Sequence, residues 1–239
     1  MLTRDGFDRL DPVLPSGVID AFRAVYAGLA APGQTLTSAQ RIEVARVVRN
    51  AAPRPLWDKA PDLFSFEHSA PTSSSAPGAS EMADGLSPFL QALTERIAVE
   101  SRSLDRQTVA AIVDRIGDAM YAEVVAIVAQ VVPIDHCLRA IDESLEPLPD
   151  AGAGDPSLDR PEGLGDIGAF IVATEPYVGP NVARSLSLAG PDNALRLKIV
   201  RSMYSGKNFG EMVWTDRALS RPQIELVAAR TSALNECFY

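Results

Sequence analysis

Sulfur and imidazole are scarce in this chain: Cys137 and Cys237 are the only cysteines among 239 residues, and His68 and His136 the only histidines. A disulfide framework needs more cysteine than that, and a four-ligand zinc site is hard to assemble from so few donors. Neither a metal nor a cofactor is expected. Long apolar runs are missing as well. The longest, residues 124–134, is interrupted by Gln130 and is too short to span a bilayer. The opening Met1-Leu2-Thr3-Arg4-Asp5-Gly6-Phe7-Asp8 has no basic start followed by an apolar centre, so it does not read as a signal peptide. The expectation is a cytoplasmic protein with no membrane partner. Positive charge is in deficit too: 22 Lys and Arg stand against 31 Asp and Glu, giving a net charge of −9. Such a chain repels phosphate backbones, and no basic cluster with interleaved aromatics offsets this, so no nucleic-acid partner is expected.

What the sequence does contain is helical periodicity. Val18, Ile19, Phe22, Val25, Tyr26 and Leu29 form one apolar stripe, ended by Pro32-Gly33. Ile42, Ala45 and Val48 form a second. Ser87-Pro88 opens a third helix, with serine as cap and proline where its missing N–H costs nothing. Asp105 caps a fourth, which Gly117 ends. A fifth spans about 118–144 and should kink or split at Pro133. Helical pieces are also expected at 167–173, 181–188, 193–204 and 222–234. No segment reads as a strand. The fold class is therefore all-α, a helical bundle.

Residues 69–85 are rich in Ser, Pro, Ala and Gly and cannot bury enough apolar surface to offset their ordering entropy. The Pro- and Gly-rich stretch 151–166 divides the chain into a first helical unit, 1–150, and a second, 167–239. The two share a local pattern. Leu36-Thr37-Ser38-Ala39-Gln40-Arg41-Ile42-Glu43 resembles Leu219-Ser220-Arg221-Pro222-Gln223-Ile224-Glu225, with a one-residue slip. Each copy sets a hydroxyl residue three positions before a glutamine, the signature of a capping box.

Chemistry concentrates near the end of the second copy. Glu225 stands among Ile224, Leu226 and Val227, on a helix expected to face a core, where desolvation would raise its pKa toward the range useful for proton transfer. Asn235 can cap a new helix and place Cys237 in its first turn, where backbone N–H groups favour a thiolate. The plainer alternatives are a semi-exposed glutamate and an inert cysteine. Asp135-His136-Cys137 is a second grouping, more simply read as a packed cysteine beside a solvent-facing histidine.

The string Glu225-x11-Cys237, entered through Ser232-Ala233-Leu234-Asn235-Glu236, resembles the alkylhydroperoxidase D-like and carboxymuconolactone decarboxylase-like superfamily. Its redox members continue as Cys-x-x-Cys with a histidine a few residues on. The resemblance implies a proton relay through Glu225, a resolving role for Cys237, and a variable, often aromatic residue at Tyr239. Asn235 and Tyr239 are supporting positions. It also implies a small peroxide or disulfide substrate, a thiol reductant protein as partner, and a homo-oligomer. The first unit then reads as a degenerate copy, with Glu43 at the relay position and no cysteine pair. The second is incomplete, because the sequence stops at Tyr239, just before the second cysteine of the motif would stand. One expectation is a UGA codon at that point, either a nonsense change or a selenocysteine codon. Two other readings stand beside a thiol or selenol peroxidase. One is an acid/base enzyme of the carboxymuconolactone decarboxylase kind; the other is a non-catalytic helical scaffold.

Overall fold

The structure is a computed structural model, and it describes residues 6–11, 13–51, 85–204 and 218–234. Helix α1, Ser16–Leu29, follows a short 3-10 turn at Gly6–Leu10. Helix α2, Ser38–Asn50, begins at a complete capping box: Gln40 N donates to the Thr37 hydroxyl, and Thr37 N donates back to Gln40 Oε1 at 2.9 Å. Ser87 caps α3, Pro88–Glu100, with proline in its first turn. Asp105 accepts the Thr108 N–H at 2.7 Å and starts α4, Arg106–Ile116, which ends at Gly117 with φ +82°. The starts of α2, α3 and α4 and the stop at Gly117 fall where the side-chain chemistry predicts them.

Helix α5, Asp118–Ala140, is the centre of the bundle. It packs on α2, α3 and α4, and on α7, Gly190–Tyr204; α7 also lies against α1. Phe22, Leu90, Leu93, Ile112, Ile127, Ile134 and Leu138 are fully enclosed, each contributing about 2 kcal/mol of burial. By length and composition α5 could cross a membrane, which the apolar run alone did not suggest, but 67% of its apolar window is buried inside the bundle. It is the core helix of an all-α fold.

Several local expectations are corrected. Pro133 does not split α5: the helix runs through it, giving up one backbone hydrogen bond, and stops at Ala140 rather than near 144. Residues 167–173 are not helical. They run from the connection into the second of two short strands, β1 (Leu164–Gly165) and β2 (Ala173–Thr174), which pair antiparallel although no strand was expected. Helix α6, Asn181–Arg184, is a single turn followed by a 3-10 turn at Ser187–Ala189.

The segment after α5 is without helix and lies along α1 and α2. Gly152 N donates to Ala30 O, Ser157 N to Gly33 O and Leu158 N to Gln34 O. Helix α7, beyond that segment, contributes Ile199, Leu195 and Met203 to the same core as α1 to α5. The final described helix, α8 (Arg221–Leu234), buries no residue.

Candidate functional site

Glu225 lies on α8. Its carboxyl group is half exposed, and it forms an i,i+4 pair with Arg221 at 3.5 Å. That corrects the expected desolvated glutamate: Leu226 and Val227, the neighbours expected to carry it into a core, are themselves 70% and 60% exposed. Of the capping box that opens α8, the half made by the glutamine side chain is formed. Ser220 N donates to Gln223 Oε1 at 2.8 Å, as Thr37 N does to Gln40. Asn235, Cys237 and Tyr239 fall outside the described residues, as does His68. Glu43, at the relay position of the first copy, lies midway along α2, partly buried, and pairs with Arg46.

The Asp135-His136-Cys137 grouping does not converge. Asp135 is buried and held by Arg49 through two bonds of 2.9 Å, Nε to Oδ2 and Nη2 to Oδ1. Arg49 also donates to the Tyr26 hydroxyl at 2.7 Å and to the Glu146 carbonyl at 2.7 Å, joining α1, α2, α5 and the following segment. His136 faces solvent. Cys137 is partly buried against the core, and that burial raises its thiol pKa. These three neighbours in sequence thus have three separate environments.

A different polar cluster occupies the centre. Arg41 of α2 reaches Glu123 of α5, Nη1 to Oε1 at 2.5 Å, and Asp192 of α7, at 2.9 and 2.7 Å. The side chains are 3%, 0% and 4% exposed. Glu123 Oε2 also accepts from Thr35 N, Thr35 Oγ1 and Leu36 N at 2.6, 2.7 and 3.3 Å, so the turn before α2 closes over it. Gln130 Nε2 donates to Asp192 Oδ1 at 3.2 Å. Desolvation alone would lower the Arg41 pKa, but its pairs with Asp192 and Glu123 outweigh that and raise it. With every carboxyl oxygen engaged and no opening to solvent, the cluster fixes the register of three helices rather than meeting a substrate. Sequence reasoning missed it. The available signal was a lone glutamate, Glu123, inside an apolar helical run.

The sequence matches no known family model, no curated protein and no solved structure. The described residues also hold no group of three His, Cys, Asp or Glu side chains placed to bind a metal ion.

Proposed function

We propose that this chain is a thiol redox protein of the alkylhydroperoxidase D-like kind, with Cys237 as its reacting sulfur. The reading is supported by the motif string and, above all, by the placement of α8. This helix leads into the motif and presents Leu226, Val227 and Leu234 to solvent, at 70%, 60% and 63% exposure. These exposed apolar side chains are read as part of a docking face. A second copy of the chain is its proposed cover, making the protein a homo-oligomer.

The chemistry rests on the sulfur without Glu225, whose carboxyl group is solvated and paired. The Cys237 thiolate attacks one sulfur of a disulfide substrate, expels the other as a thiolate, and is left in a mixed disulfide. A thiol reductant protein then restores it. A peroxide would instead transfer one oxygen to the sulfur, giving a sulfenic acid and releasing an alcohol or water. The acid/base reading of the carboxymuconolactone decarboxylase kind needs a shielded carboxylate and finds none at Glu225.

Mixing the chain with glutathione disulfide and following each cysteine by mass spectrometry tests the proposal. Cys237 is expected to acquire glutathione on the order of tenfold faster than Cys137. Cys237→Ser should abolish the fast phase, and Glu225→Gln should leave it within about twofold, as for an exposed pair. Equal, slow reaction at both cysteines would support the scaffold reading instead.

A further inference from the structure

A cavity of about 650 Å3 opens between the start of α5, the β1–β2 connection and α6. Val125, Phe170, Ile171 and Leu186 give it apolar walls, and none of its lining residues carries a charge. Set among them is Tyr121, 7% exposed. Its hydroxyl pairs with no group among the described residues, and burial is the one influence on its proton affinity. The ring is buried while the hydroxyl meets the cavity, so its donor and acceptor are free for a partner from outside the chain.

The walls are held in place by the protein itself. Arg106 of α4 donates to the Ala169 and Gly168 carbonyls at 2.8 and 2.6 Å, and its guanidinium lies 5.3 Å from the Phe170 ring centre. On the other side, Arg196 of α7 donates to the Val182 carbonyl at 2.7 Å, and Asn193 to that of Ala183 at 2.9 Å. Arg196 has no carboxylate partner among the described residues, and its desolvation lowers its pKa, so this buried cation rests on the Val182 carbonyl and the Asn193 amide oxygen. Two irregular segments pinned by side chains from the bundle make a preformed cavity, and a preformed site spends little of its binding energy on ordering.

We propose that this cavity binds a small, mainly apolar, uncharged molecule carrying one hydrogen-bonding oxygen, such as an aryl ketone or alcohol, with that oxygen held at Tyr121.

Methyl-resolved NMR with acetophenone, ethylbenzene and benzoate as probes tests it on the full chain. Acetophenone should shift the Val125, Ile171 and Leu186 methyls and bind about fivefold tighter than ethylbenzene, the worth of one hydrogen bond. Tyr121→Phe should erase that preference while leaving ethylbenzene binding within about twofold. Ala169→Trp, at an exposed wall position, should block both probes without changing the melting temperature. The proposal falls if neither neutral probe shifts those methyls, if Tyr121→Phe keeps the ketone preference, or if benzoate binds as well as acetophenone.

Discussion

Glu123 fills the space that Gly33 leaves by having no side chain. A β-carbon at position 33 would collide with the Glu123 carboxyl group and with Arg41 Nη1. The turn also donates to that carboxylate through Thr35 and Leu36, so it cannot move away without breaking those bonds. Gly33→Ala is therefore expected to cost about 3 kcal/mol, the upper range for forcing an extra carbon into a packed interior. Urea unfolding measures this, and a loss below about 1 kcal/mol would show that the turn yields.

Arg41 serves two buried carboxyl groups at once. Arg41→Met alone leaves both without their cation and should cost about 3–5 kcal/mol. Replacing all three groups together, Arg41→Met with Glu123→Leu and Asp192→Leu, should cost much less than the sum of the three single changes. Buried charge stabilises mainly when its partners are present. A set of denaturation curves on the single and triple variants reads out the coupling, and additive losses would contradict it.

Tyr121 gives the fold an alkaline signature. Burial pushes its hydroxyl up to about 12, against about 10 in an unfolded chain. The folded state holds the proton more tightly. Its contribution is therefore intact below pH 10 and is lost as pH rises toward 12, a fall of about 2–3 kcal/mol. Tyr26 shifts in the same direction, so the difference between wild type and Tyr121→Phe isolates the effect. Stability curves from pH 9 to 12 should be flatter in the variant.

Cys137 should behave as an inert thiol. Its burial against the core raises its pKa, and less thiolate means slower alkylation. In the Cys237→Ser protein, iodoacetamide at pH 7.5 is expected to label Cys137 at least about tenfold more slowly than it labels free glutathione. Comparable rates would mean that the segment around Ile134 and Leu138 opens readily.

Helix boundaries were legible because each depends on a few adjacent residues. Ser87-Pro88, Asp105, Gly117 and the Thr37-to-Gln40 box all act within one turn. What lay beyond the sequence was burial. The segments opening with Thr37 and Ser220 share the bond from the cap N–H to the glutamine side chain, yet α2 buries Ile42, Val44, Ala45 and Val48 whereas α8 buries nothing. The same capping chemistry is compatible with either environment, since it satisfies backbone groups and says nothing about the far face. Glu225 was placed in a core on the strength of its apolar neighbours, and tertiary packing left them outside. The stretch 167–173 failed for another reason: Ile167, Phe170 and Ile171 have helical spacing, but this segment runs between paired strands anchored by Arg106. The central cluster escaped because its members are far apart in sequence and only the folded chain unites them.

That separation has a consequence during synthesis. Asp192 follows Arg41 by 151 positions, so the guanidinium leaves the ribosome long before its second carboxyl partner exists. Until α7 emerges, the nascent bundle keeps bare the faces of α1 and α5 that α7 later covers. Late closure of this kind favours assembly in one concerted step once the C-terminal third has been translated.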